Sequence, residues 1–290
     1  MTRARIPSSP RRLRCALGSA ALLAGSLAVP AAPGRAAAPD DPLWLRAVEI
    51  AGRNEHWVPG TIVTRIEELD GEGRAKHVRE SSMRLFLGEA GEVENEILRA
   101  AEDGKDTTEK ERRSAAEERK RAERERAAQR ERLEKKARER GVDAETLERE
   151  EARGGRSGGK RGSSRFGGPT PFDPVVQDSV SARRVSAEDP PDGGPHVAFE
   201  FTQRIGATGA LRGIAWIEET TGLPIELRFA PDPLPGRVKE MSLRVRFAAV
   251  ADTAWVPVDM EVHALGKMLL FKKRYRSSLS FADHWWKEGE

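Results

Sequence analysis

The sequence predicts an α+β protein: an antiparallel β-sheet with an N-terminal helix and an inserted long charged helix. Three observations carry that expectation. After residue 171 the chain reads as short runs in which apolar and polar residues alternate, the period of a sheet with one wet face. A helical apolar stripe with a good start signal appears near residue 42. Between these regions, "EKERRSAAEERKRAERERAAQRERLEKKARER" contains strong helix formers but Leu133 as its only large aliphatic residue. Such a helix has no stripe to bury.

The elements follow in chain order. Arg11, Arg12 and Arg14 precede the apolar run "CALGSAALLAGSLAV", and "RAAAPD" offers small residues for cleavage near Ala38. Residues 1–38 therefore read as an export signal, with a run too short for a comfortable membrane span. Asp41 before Pro42 is a good helix start. The helix is expected to reach about Asn54 and bury Leu43, Ala47 and Ile50, with Trp44, Val48 and Ala51 widening the stripe. Strands are expected at Val58–Leu69, Lys76–Leu87 and Glu92–Ala100, separated by the turn formers "DGEGR" and "GEAGE".

Thr108, three residues before Glu111, reads as a capping box opening the charged helix. Glu117/Arg121, Glu131/Lys135 and Glu134/Arg138 stand four residues apart, each pair worth about 0.2–0.5 kcal/mol. Gly141 ends this helix, and Asp143 caps a shorter one with Val142 and Leu147 as a hydrophobic staple. The Gly/Arg-rich run that follows cannot bury a core and is expected to be disordered. The expected layout is a single discontinuous domain, 39–105 and 171–290, interrupted by a helical insertion, 106–153, and a linker, 154–170.

Beyond the insertion, Val197, Phe199 and Phe201 share one strand face; so do Met241, Leu243, Val245 and Phe247. Val256, Val258, Met260 and Val262 repeat the pattern, and Phe271, Tyr275, Leu279 and Phe281 keep one register. "GIAWIEETTGLPIELRF" reads as two antiparallel strands around a Gly-Leu-Pro turn. Ile225, Leu227 and Phe229 should share a face, with Glu226 and Arg228 turned to water. Ile214/Trp216 and Ala215/Ile217 are both apolar sets, so this strand should be covered on both sides; Trp216 is assigned to the concave side.

Charge and cysteine bound the function. The whole chain has 50 basic and 47 acidic residues, but the leader holds six arginines and no acid. Without it 44 basic residues face 47 acidic ones, so the basic balance belongs to the leader and does not argue for nucleic acid. Residues 105–165 carry 21 basic and 15 acidic residues, a basic arm on an acidic body. Cys15, the only cysteine, lies in the leader, which leaves no disulfide or thiolate chemistry in the remainder.

"GIAWIEETTGLPIEL", "PLPGRVKEMSLRVRF" and the basic final strand "FKKRYRSSLSFADHW" together resemble the outer-membrane lipoprotein-sorting superfamily, the LolA-like and LolB-like proteins. The resemblance covers Asp41–Asp103 and Phe172–Trp285, and the long charged insertion departs from it. It implies a curved antiparallel β-sheet forming an incomplete barrel, in an exported, periplasmic or secreted protein that carries lipid or the acyl chains of a lipoprotein in a half-barrel cavity.

No enzyme is visible in the residues. His56, His77, His196, His263 and His284 show no metal-ligand spacing, and there is no nucleophile elbow or phosphate-binding glycine loop. No cofactor and no metal are expected. The expected cavity lining is Trp216, Ile225, Leu227, Phe229, Leu243, Val245, Phe247, Val258, Met260, Phe271 and Tyr275. A curved sheet with too few helices to cover it leaves apolar surface in need of a partner. The expected function is an apolar-ligand carrier, monomeric and without a nucleic-acid partner. The alternative is a non-catalytic envelope scaffold whose basic arm reaches a protein or an anionic surface.

Overall fold

The computed structural model describes residues 39–287 except 55, 89–90, 141–169, 188–190, 192–193, 207, 252–253 and 269–270. The expected leader, the short helix after Gly141 and nearly all of the Gly/Arg-rich linker lie outside the described residues. Antiparallel β-structure dominates. Among the described residues eleven strands form one open sheet in the order Lys105–Asp106, Val93–Glu102, Ala75–Leu87, Thr61–Leu69, Phe271–Ala282, Ala254–Met268, Val238–Ala251, Pro224–Asp232, Gly209–Glu218, His196–Ile205 and Val180–Val185. Sheet neighbours are chain neighbours except where Thr61–Leu69 meets Phe271–Ala282, so the N-terminal and C-terminal runs of strands join at that seam.

Helix α1 (Pro42–Arg53) starts where the sequence places it: Asp41 Oδ1 accepts the Leu43 N–H at 2.9 Å, and Asn54 caps the end. Its buried residues are Trp44, Ala47 and Val48, with Leu43 and Ala51 packed partly against the same core. The stripe is thus centred on Trp44 instead of Leu43 and Ile50. Trp44 is the largest apolar side chain on the helix, and three phenylalanines wait for it across the core.

The first expected strand is broken in two. Pro59 and Gly60 separate β1 (Trp57–Val58) from β2 (Thr61–Leu69). Gly60 donates its N–H to the Asp283 carbonyl at 3.0 Å, an approach that leaves no room for a side chain. β1 pairs with β13 (Trp285–Trp286) as a separate two-stranded ribbon. β3 (Ala75–Leu87) and β4 (Val93–Glu102) follow, with a two-residue β5 (Lys105–Asp106) on the edge of β4.

Helix α2 (Thr108–Arg140) runs for 33 residues, and its described side chains are mostly exposed. Thr108 is its first helical residue and not its cap: Glu111 donates to the Thr107 carbonyl at 3.0 Å. The Thr108 hydroxyl instead accepts the Ala100 N–H at 2.9 Å, tying the helix to β4. Arg112 donates to the Ile97 carbonyl at 2.9 Å, and Arg119 to the Asn95 side chain at 2.6 Å. On the helix surface Glu134 pairs with Arg138 at 3.8 Å, while Arg121 reaches forward to Glu125 at 2.9 Å instead of back to Glu117. These exposed pairs stabilise by a few tenths of a kcal/mol each.

The remaining strands are β6 (Val180–Val185), β7 (His196–Ile205), β8 (Gly209–Glu218), β9 (Pro224–Asp232), β10 (Val238–Ala251), β11 (Ala254–Met268) and β12 (Phe271–Ala282). A 3-10 helix over Pro174–Ser179 precedes them. The main core lies between α1 and the β6–β10 half of the sheet. It unites Trp44, Phe172, Phe199, Phe201, Ile217, Leu227 and Val245. A second, smaller core of Val58, Ile62, Leu85 and Phe281 involves the β1/β13 ribbon.

Gly213 shows how tightly the main core closes. A Cβ there would sit 2.0 Å from the Arg228 carbonyl oxygen and 2.6 Å from Phe229 Cβ. The Phe201 and Phe229 rings, 6.3 Å apart, occupy the neighbouring positions of the same rung. Gly213→Val is therefore expected to lose about 1–3 kcal/mol or more to overpacking. Urea unfolding measures it; an unchanged midpoint would show that the strands can separate to admit the side chain.

Candidate functional site

The register divides the sheet residues into a face toward α1 and an outer face. On the helix side one rung runs Leu227–Val245–Met260–Leu279–Thr64–Ser81 across six strands. The next runs Phe229–Leu243–Val262–Ser277–Ile66–Arg79, and a third contains Met241, Ala264, Tyr275, Glu68 and His77. Each rung changes from apolar near β9 to polar near β3.

The expected cavity residues separate along these rungs. Leu227 is 0% and Val245 1% exposed under α1, and Phe229 and Phe247 pack against the same core. These are filled-core residues, because α1 and Phe172 occupy the space above them. Met260 touches both cores. Leu243 is half-buried on the helix-side face but belongs to neither core. Tyr275 is also half-buried, one rung further out, beside Glu68. The Phe271 side chain lies outside the described residues.

Trp216 is on the other face. It stands opposite Glu226, whereas Ala215 stands opposite Leu227. The assignment of Trp216 to the concave side is therefore corrected: with both neighbouring sets apolar, only the register distinguishes them. Arg228 stacks on the Trp216 ring at 4.8 Å, and the indole N–H has no hydrogen-bond partner among the described residues. Ile225 is the extra residue at a register shift, since Ile217 pairs with Pro224 and Trp216 with Glu226. Val258 is extra in the same way, between the Arg246–Asp259 and Phe247–Pro257 pairs. Bulges interrupt the strict alternation on which both assignments rest.

Glu226 does not point to water. It is 1% exposed and accepts hydrogen bonds from Arg228 at 2.5 Å and Arg244 at 2.7 Å. A second such group sits on the seam: Glu67, 4% exposed, accepts from Arg65 at 2.9 Å and Arg276 at 2.6 Å. Burial pushes the Glu67 carboxyl up, but the Arg276 and Arg65 hydrogen bonds prevail and hold it below its ordinary value. The Arg184 hydrogen bond likewise lowers Asp41, with burial working against it. Burial lowers His284, opposed by a hydrogen bond with the Pro257 backbone.

These shifts set the pH profile. A lowered histidine means that the unfolded chain takes up the proton first, so His284 stabilises fully above pH about 6.5 and less as pH falls. Lowered carboxyls contribute fully above the ordinary range near pH 4 and are lost as pH falls through their folded values. Thermal melts should therefore show a first decline below pH about 6.5 and a steeper one below about 4. His284→Asn should remove the first decline alone; its persistence would assign it to another group.

One residue set that periodicity left out belongs to the helix-side face. Ile62, Thr64, Ile66 and Glu68 alternate inward along β2, a signal present in "TIVTRIEEL". At the strand ends a cavity of about 600 Å³ is lined by Glu68, Asp70, Lys76, Glu240, Leu265, Lys272, Lys273 and Arg274, of which Glu240, Leu265 and Arg274 share an outer-face rung. Among the described residues no group of three or more His, Asp or Glu side chains is placed to hold a metal. No protein-family model, curated protein or solved structure matches this chain.

Proposed function

We propose that the protein is an exported carrier whose curved sheet, a half-barrel, holds an apolar ligand such as lipid or the acyl chains of a lipoprotein. One observation supports this most. Leu243, Val262 and Ile66 share a rung on the helix-side face, are half-buried, and belong to neither hydrophobic core. Helix α1 packs over the β6–β10 half and leaves these residues beside, not beneath, its contacts. Met260 and Leu279 flank them on the adjacent rung.

Apolar side chains in this position gain about 25 cal/mol for each Å² that a ligand removes from water. The ligand surface thus runs from β10 through β11 to β2, beside the Leu227 region that α1 already fills. Titration of a fluorescent fatty-acyl probe into the mature protein tests the reading. Saturable enhancement is expected; none at all would favour an ordinary folded scaffold. The scaffold reading has its own support in α2, which is anchored through Thr108, Arg112 and Arg119 while most of its later described side chains remain exposed. Loss of a bound envelope protein or anionic surface on shortening α2 would favour it.

A further inference from the structure

We propose that α2 is a strap over the hydrogen-bonding edge of β4, and that the edge beneath it is a pairing site for the same edge of a second copy of this chain. The sequence of α2 offers no apolar stripe to bury, yet its first three turns are bonded to β4. It carries a polar stripe instead. Thr108, Arg112, Ala115 and Arg119 fall within about 60° of one another around a helix of 3.6 residues per turn.

The three polar members of that stripe bond the strand's backbone. The Thr108 hydroxyl accepts the Ala100 N–H at 2.9 Å, and the neighbouring Thr107 N–H donates to the Ala100 carbonyl at 2.9 Å. Arg112 Nε donates to the Ile97 carbonyl at 2.9 Å, with Nη2 3.5 Å from the Leu98 carbonyl. Arg119 donates to the Asn95 carbonyl and to its side-chain oxygen. Ala115, small and half-buried, stands between the two arginines. β3 pairs with the other side of β4, and among the described residues β5 covers only Ala101 and Glu102 on this side. The lengths also agree: Thr108 to Arg119 along a helix and Ala100 back to Asn95 along a strand each span about 16 Å. The helix thus stands where the next strand of the sheet would be.

An uncovered edge is a template for pairing with another chain, and identical edges are self-complementary about a two-fold axis. Antiparallel pairing centred on Asn95 sets Val93 of one copy opposite Ile97 of the other. Both are half-buried on the helix-side face, so the match there is apolar. On the outer face Glu94 meets Glu96, whose charge Arg84 offsets at 2.7 Å. The strap itself is lightly held. Arg112 is 43% exposed, and hydrogen bonds open to water are readily exchanged for bonds to it. α2 can therefore lift while the sheet stays folded.

Amide hydrogen exchange and sedimentation velocity on the full chain test the strap and the pairing separately. The variant Arg112→Ala/Arg119→Ala changes two exposed side chains and keeps Thr108, the partner of the Ala100 N–H. In dilute solution its Ala100 amide should exchange at least about ten-fold faster than in the wild type, because the helix lifts. At high concentration the variant should dimerise, while the wild type stays monomeric. Adding Asn95→Pro removes an edge-facing N–H and leaves the β3 side intact, so the dimer should be lost with a native circular-dichroism spectrum. Arg112→Lys, with one point donor in place of a fork, should shift exchange in the same direction by less. Unchanged Ala100 exchange in the double variant overturns the strap. A double variant that stays monomeric, or a dimer that survives Asn95→Pro, overturns the pairing edge.

Discussion

Replacing Trp44 by alanine is expected to destabilise the protein by about 3–5 kcal/mol, the range for removing a buried tryptophan from a close-packed core. Trp44 is 0% exposed and lies 4.9 Å from Phe172 and 5.6 Å from Phe199, ring centre to ring centre. Its indole N–H donates to Gln177 Oε1 at 3.2 Å, so the same side chain ties α1 to the 3-10 helix. The substitution removes the ring packing and leaves Gln177 with one acceptor unpaired. For a chain of this size the thermal midpoint should fall by roughly 10 °C. Trp44→Phe should recover most of the packing but not the hydrogen bond. A fall of a degree or two for Trp44→Ala would mean that α1 is not the lid of the main core.

The largest expected effect on binding comes from Val262→Glu. Val262 is half-buried and lies between Leu243 and Ser277, in the rung assigned to the ligand. A carboxylate there would be desolvated by an acyl chain without gaining a partner, at a cost of several kcal/mol. Affinity for the fatty-acyl probe should drop at least about a hundred-fold, which corresponds to roughly 2.7 kcal/mol. Glu261→Leu, one residue away on the outer face beside Arg244, should leave affinity unchanged. Equal loss in both variants, with both folded by circular dichroism, would remove the face specificity. Leu227→Glu cannot serve this purpose, because Leu227 is fully buried under α1 and its replacement disrupts the core.

Much of the sheet is legible in the sequence because alternation reports burial directly. The strands around Phe199, Val245 and Met260 follow from it, and so does the Asp41-Pro42 helix start. β6 escapes the same reading: "VSARRV" is short and mostly polar, and only pairing with β7 defines it. Register is the deeper obstacle. Trp216 and Ala215 are each compatible with either face until the shift at Ile225 is known. Glu226 sits in a polar position of the pattern, but two arginines converge from its own strand and the next and bury it. Such convergence is a long-range fact that no local pattern contains. The rung proposed for the ligand has the same character, since Leu243, Val262 and Ile66 come from three separate parts of the chain.

Where an acyl chain contacts the protein is the central matter, and a spin-labelled fatty acid answers it residue by residue. In methyl NMR spectra of the protein, the label should broaden Leu243, Val262, Ile66 and Leu279 in the bound state. Leu227 and Val245, shielded beneath α1, should broaden less, and Ile214 on the outer face should remain sharp. Broadening centred on Ile214, or no broadening of Val262 and Ile66 at saturating ligand, would contradict the account.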